Sequence, residues 1–322
     1  MLLPDIALKN SITLLFLSFF LFISCDHKHK EYAKGVLFYS GFPHERELIG
    51  EVIELDTALL RYPFRIRIEG DRVIVMDLHG LDHYGHLFQY PSYQYLSSFG
   101  KRGDSLLRDE TVTLDEDILR PLDFAIYNDS MFIIPDYSGE NRLCRVNCNG
   151  KLIDKIGIIP TIDEKALENA RPALAQAWRS FLDYNPNNGI LAVVTQLGEV
   201  VEVYNLKDST HIIRIGEHGE PEFKVSDGYG MPTGIMGFSD VQVTDSAIYT
   251  VFHGTSFKEI ARQSGRLPDG GKYIYVFSLK GEPLCKYVLD HYIYGIWVDE
   301  ATKTIIATDV NNDEPILKFN FG

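Results

Sequence analysis

Apolar and polar side chains alternate along much of this chain in short bursts, each closed by a tight polar turn and answered by a second burst. The clearest pairs cover residues 64–77, 124–136, 181–195, 241–253 and 296–309. A two-residue period means strands with one face buried, and two such runs around a short turn make a hairpin. Aligned on the last residue of each second strand (Asp77, Asp136, Thr195, His253 and Asp309), the units step by 59, 59, 58 and 56 residues. Hairpins repeating at a fixed spacing predict a β-propeller.

Each repeat carries a second strand pair beyond its hairpin, as at residues 85–90 and 93–100 or 199–204 and 211–216. The predicted fold class is therefore all-β, a propeller with five clear repeats of four-stranded blades and a total of five or six blades. The last repeat has only one strand after Asp309, at residues 316–321. Its missing outer strand is expected from the amino-terminal side, from residues 50–55 or 35–39, which would close the ring and remove a bare sheet edge. Turns between the first and second strands, and between the third and fourth, are short. The other connections are long, and alternation puts them all on one rim: residues 101–120, 158–177, 217–238 and 254–272. Binding residues concentrate on long loops held by a rigid scaffold. Residues 166–177 are Ala-rich and predict a short helix on that rim, broken near Pro172.

Composition changes the picture at the amino terminus. Residues 11–24 are apolar, stop at Cys25 and give way to Asp26-His27-Lys28-His29-Lys30. Fourteen residues are too few to span a bilayer core, which needs about 20, but they suit a secretory signal. The expected organisation is a signal over residues 1–24, a tether over 25–34 and one propeller domain over 35–322. The net charge of −14 argues against nucleic acid as a partner, since that needs basic patches. Cys144, Cys148 and Cys285 remain after the signal; they read as small buried apolar residues, and their odd number leaves at least one thiol free.

A cysteine directly after Ser24 resembles the bacterial lipoprotein signal, in which the thiol is diacylated. With it, the Phe99-Gly100-Lys101-Arg102-Gly103-Asp104 stretch after the first blade and the Pro121-Leu122-Asp123-Phe124 strand opening resemble the TolB-like six-bladed propeller lipoproteins of Bacteroides-type bacteria. The resemblance covers nearly the whole mature chain and implies a scaffold and a compartment: export, lipidation at Cys25 and residence at the cell envelope, at the outer membrane rather than the inner. It implies no substrate.

Candidate chemistry lies in three places. His79, Asp82, His83 and His86 form a dense cluster after the first hairpin, where imidazoles and carboxylates could converge on a metal; a solvated polar loop is the favoured reading. The run Asp309-Val310-Asn311-Asn312-Asp313-Glu314 is oxygen-rich enough for Ca²⁺ but lacks the spacing of a twelve-residue calcium loop. The third is created by the repeat itself: Asp77, Asp136, Thr195, His253 and Asp309 would stand around the channel mouth as a ring able to hold a divalent cation or a polyhydroxylated ligand. The favoured alternative is that each Asp accepts backbone N–H bonds from its own loop. No nucleophile elbow, phosphate-cradling loop or His-Glu-x-x-His occurs. The expectation is a non-catalytic binding module without a cofactor, its rim taking an envelope protein or glycan through aromatic residues such as Tyr137, Phe223, Tyr229, Phe238 and Phe257. The alternative is a metal-dependent, Ca²⁺-type hydrolase or lactonase at the channel mouth.

Overall fold

A computed structural model describes residues 35–55, 60–102, 112–116, 118–119, 121–262 and 267–322. The expected signal and Cys25 lie outside the described residues. Three short strands come first: β1 (Val36–Phe38), β2 (Glu45–Leu48) and β3 (Glu51–Ile53). Blade 1 is β4 (Pro63–Glu69), β5 (Arg72–Asp77), β6 (His83–Gln89) and β7 (Tyr95–Lys101). Blade 2 is β8 (Ala125–Asn128), β9 (Met131–Pro135), β10 (Leu143–Asn147) and β11 (Leu152–Ile156). Helices α1 (Glu164–Asn169) and α2 (Arg171–Ala177) lead into blade 3: β12 (Ser180–Asn185), β13 (Ile190–Thr195), β14 (Val200–Asn205) and β15 (Thr210–Ile215). A hairpin, β16 (Phe223–Ser226) and β17 (Tyr229–Pro232), precedes blade 4: β18 (Phe238–Val243), β19 (Ala247–Phe252), β20 (Gly271–Ser278) and β21 (Pro283–Ile293), with α3 (Phe257–Arg262) between β19 and β20. Blade 5 is β22 (Ile296–Asp299), β23 (Thr304–Thr308) and β24 (Ile316–Asn320).

The propeller has five blades, one per sequence repeat. The missing strand of blade 5 is β3, antiparallel to β24 with Leu317 opposite Val52. The other amino-terminal candidate, residues 35–39, goes elsewhere. There β1 adds parallel to β15 of blade 3, and β2 adds parallel to β21 of blade 4. Before entering blade 1, the chain therefore runs as a belt around the outer edges of blades 3, 4 and 5.

Alternation in each strand supplies the packing between blades. Ile66, Ile68, Val73 and Val75 of blade 1 meet Ile306 and Ile316 of blade 5. Ala125, Ile133 and Leu143 of blade 2 meet Leu182, Leu191 and Val193 of blade 3. Val194 and Val201 of blade 3 meet Phe238, Ile248 and Phe277 of blade 4, with Tyr39 and Phe42 of the belt against them. Val251 and Ile274 of blade 4 meet Ile296, Ile305 and Phe319 of blade 5. Among the described residues no such apolar core joins blades 1 and 2. The second face of blade 2, with Ile134, Cys144 and Val146, is covered by Leu114 and Ile118 instead. Closer to the axis on that face, Phe124 and Ile126 are 56% and 62% exposed.

Two of the three cysteines depart from the expected burial. Cys144 is buried, and burial pushes its thiol up to about 12, but Cys148 lies exposed in the β10–β11 turn and Cys285 is half-buried; all three are free. The Asn147-Cys148-Asn149-Gly150 turn puts Cys148 where it has no sheet to pack against, so its spacing from Cys144 carried no burial.

Candidate functional site

The centre of the ring is closed by charge. Arg67 on β4 reaches across the axis to Asp240 on β18 through two parallel bonds of 2.9 Å, and also donates to the Ile296 carbonyl at 2.9 Å. Arg65 pairs with Asp123 at 2.6 Å and lies 3.6 Å from Asp240. Bidentate pairs of this kind are the strong ones, and burial makes each partner depend on the other. Burial alone would raise the Asp240 carboxyl, but Arg67 and Arg65 outweigh it and hold the pKa below the ordinary value. Burial wins at Asp183, whose pKa is raised in spite of Arg67.

Carboxylates of this group tie blade 2 to 3, 3 to 4 and 4 to 5. Asp123 accepts the Leu182 N–H at 3.0 Å, Asp183 accepts the Val243 N–H at 2.7 Å, and Asp240 accepts the Ile296 N–H at 2.9 Å. Gln242 does the same for Val298 at 2.7 Å. Sequence reasoning missed this network, because a charged residue in an alternating strand reads as its solvent face. The available signal was that the charges recur on innermost strands at the blade period.

The five-residue ring predicted for the channel mouth occupies equivalent places, each at the end of a second strand or one residue past it. Each carboxylate accepts an N–H from the loop that follows it, and Asp77 and Asp136 also reach neighbouring segments. Asp77 accepts from the backbone N–H of Arg61, Tyr62 and His79, at 2.8, 2.8 and 3.0 Å. Asp136 accepts from the Ser138 N–H at 2.9 Å and lies 3.2 Å from Lys155 Nζ. Asp309 accepts from the Asn311 N–H at 2.8 Å and from the side chains of Asn311 and Asn312. Thr195 and His253 are buried, and neither Thr195 Oγ1 nor His253 Nε2 has a hydrogen-bond partner. Burial drives the His253 pKa down to about 4, against a smaller opposing pull from Asp269, so this imidazole is neutral at pH 7. Among the described residues no group of three His, Cys, Asp or Glu is placed to hold a metal ion.

The His79, Asp82, His83 and His86 cluster is divided by the fold. Only residues 78–82 form the loop, because strand β6 begins at His83. His79 is exposed and meets the Tyr62 ring edge-on at 5.0 Å, while the Asp82 carbonyl accepts the Arg102 N–H. His83 pairs across the ladder with Lys101. His86 is buried, with Nδ1 2.9 Å from Ser98 Oγ and Nε2 4.0 Å from Asp77; burial keeps its pKa low.

Above the closed channel, the rim over blades 3 and 4 is knitted into one surface. Short bridges pair Leu197 with Met236 and Ile235 with Ser256. Gln176 on α2 accepts the Gly230 N–H of the β16–β17 hairpin at 3.2 Å. The predicted Ala-rich helix is the α1–α2 pair, broken at Ala170 with Pro172 in the first turn of α2, where a missing N–H costs nothing. Val225, Tyr229 and Met231 on the hairpin are 54%, 62% and 54% exposed. Of the five rim aromatics singled out from sequence, Tyr229 alone is fully open. Tyr137 and Phe238 are core residues, and Phe223 and Phe257 are half-buried. Tyr62 and Tyr294 stand at the mouth with ring centroids 5.8 Å apart, and the Tyr62 hydroxyl donates to Asp269. Burial and the nearby Asp269 push Tyr294 up to about 12.

The TolB-like 6-blade propeller-like family model matches residues 42–106 and 104–301. The chain belongs to this family. It builds five blades where the family description has six, and the two matched stretches meet at the segment between blades 1 and 2. No curated protein matches it. Among solved structures it is similar to a candidate exported protein of Bacteroides fragilis, at 9% identity over 88% of this chain and 98% of that one, with a TM-score of 0.48. It is similar also to the glutaminyl cyclase of Myxococcus xanthus, at 10% identity over 86% and 98% with a TM-score of 0.42. An auxiliary nutrient binding protein of Bacteroides ovatus matches at 10% identity and a TM-score of 0.39; this chain aligns over 80% of its length and spans 58% of that protein. At these identities the likeness is one of fold.

Proposed function

We propose that this TolB-like propeller is exported, lipid-anchored through Cys25 at the bacterial envelope, on the outer membrane, and acts as a non-catalytic binding module for an envelope protein or glycan. The observation that carries the reading is the rim over blades 3 and 4. Helices, hairpin and loops there are fastened to one another, and the hairpin presents Val225, Tyr229 and Met231 to solvent. An exposed Tyr on a rigid support makes a good contact anchor at small entropic cost, and Val and Met beside it add apolar contact area. The carboxylates of Asp77 and Asp309 support the same reading, since their oxygens already accept backbone and side-chain N–H groups of nearby loops.

The test is binding of the full-length chain to isolated outer-membrane fractions, measured by biolayer interferometry against a Tyr229→Ala, Met231→Ala variant. The expected loss is at least tenfold; unchanged binding would put the partner surface elsewhere. Cys25→Ser is expected to release the protein from membranes. Metal analysis of protein purified without chelator is expected to find none. About one Ca²⁺ or Zn²⁺ per chain, lost in Asp77→Asn and Asp309→Asn, would bring the hydrolase reading forward.

A further inference from the structure

The face of blade 5 that turns toward blade 1 changes character along its length. Ile306 and Ile316 pack into the shared core, with Ile53 of the closing strand against them. Two residues nearer the short-turn rim, the same face carries Thr304 and Lys318, because side chains two apart on a strand share a face. Opposite them stand Tyr90 and Tyr93, from the turn between β6 and β7. Together these residues line a groove of about 360 Å³ between the two blades, within the size range of small-ligand pockets. Its place on the short-turn rim separates it from the surface over blades 3 and 4, so the two sites stand or fall independently.

Two polar groups of the groove are left without partners. The Tyr93 hydroxyl is buried and has no hydrogen-bond partner. Lys318 is half-buried, and its ammonium makes no ion pair or hydrogen bond among the described residues. Glu51, directly across the ladder on β3, is exposed and does not come within ion-pair distance. Among the described residues no Asp or Glu lines the groove, in a chain whose net charge is −14. A buried hydroxyl without a partner is costly, and a cation drawn partly out of water favours an anion beside it. The wall adds aromatic surface: Tyr90 meets Tyr93 edge-on at 6.1 Å and Trp297 at 5.8 Å.

We propose that this groove binds an acidic sugar, one whose ring carries a carboxylate or a sulfate. The anionic group pairs with Lys318, a charge-assisted contact of the stronger kind. A ring hydroxyl supplies the partner that Tyr93 lacks, and the apolar C–H face of the ring lies against Tyr90. A neutral sugar would leave Lys318 unpaired, and a bare inorganic anion would leave the tyrosine wall uncovered.

Trp297, against Tyr90, reports on the groove by its fluorescence, while Trp178, the other tryptophan, is buried elsewhere in the ring. The test titrates the full-length chain in mild detergent with D-glucuronate, D-glucose 6-sulfate and D-glucose. A saturable change in Trp297 emission is expected with at least one of the two anionic sugars, with glucose bound at least about tenfold more weakly. Lys318→Gln should lower the affinity for the anionic sugar about tenfold and leave glucose unchanged, whereas Tyr90→Ala should weaken every ligand. Lys318 makes no side-chain bond, so its replacement does not put the fold at stake. No saturable response to either anionic sugar up to about 50 mM, glucose bound as tightly, or a response indifferent to Lys318→Gln would overturn the proposal.

Discussion

The junction between blades 3 and 4 and the one between blades 1 and 2 are built from the same repeat and are held in different ways. Between blades 3 and 4, Phe238, Val241, Ile248 and Phe277 interlock with Phe181, Val194 and Val201, and belt residues Tyr39 and Phe42 seal the outside. Among the described residues, blades 1 and 2 are tied by the Arg65–Asp123 ion pair near the axis, while Phe124 and Ile126 are largely exposed. Within the described residues the two junctions thus rest on different forces, apolar packing in one and an ion pair in the other. Buried charge at the axis can hold two blades that their faces do not, provided both partners stay.

The sharpest way to break that view is Asp240→Ala. It strands Arg67 and leaves Arg65 with one partner fewer, and removing one member of a buried pair costs about 3–5 kcal/mol; urea denaturation should show it as a large fall in midpoint. Loss under about 1 kcal/mol would mean that the axis is far wetter than its burial implies. Phe277→Ala should cost a comparable 3–5 kcal/mol by opening a cavity in the blade 3–4 core, whereas Phe124→Ala, on the open side, should stay within about 0.5 kcal/mol. Equal costs for the two would erase the contrast between the junctions.

Acid should act first on the two buried imidazoles, His86 on β6 and His253 just past β19, and most through His253, which is lowered to about 4. The unfolded imidazole takes up its proton near its ordinary value of about 6.5, while the folded one stays neutral down to about 4. Stability is therefore full above the first value and falls as the pH drops through the interval, by up to about 3 kcal/mol from this group. Glu202 follows in a lower window. Burial alone would raise its carboxyl, but Arg142 and His211 hold it near 2, so its contribution is lost between the ordinary carboxylate range and that value. His253→Phe should flatten the upper part of a stability–pH profile and leave the lower part in place; an unchanged profile would show that the imidazole is not sealed.

How far the chain could be read differs between scaffold and site. The hairpins, the four-stranded blades, the closure by residues 50–55 and the long-loop rim are visible in period-two alternation and turn residues, because each depends on neighbours only a few positions away. The ring carboxylates were legible as loop caps for the same reason, since Asp77 and Asp309 bond within or near their own loops. The Arg65, Arg67, Asp123, Asp183 and Asp240 network was not. Each of those side chains is satisfied by a partner a whole blade or more away, and nothing local separates a charge facing the axis from one facing water. The rim aromatics fail in the same manner: Phe238 and Tyr229 look alike in sequence, and burial by a neighbouring blade decides between core and contact surface.

What the order of residues settles here is the unit, a strand pair and its partner pair repeated five times with an amino-terminal strand to close the last blade. What only the folded ring settles is how the units meet. Two equivalent junctions differ because one finds an apolar face and the other an ion pair, an outcome that depends on side chains roughly 60 residues apart arriving at the same axis.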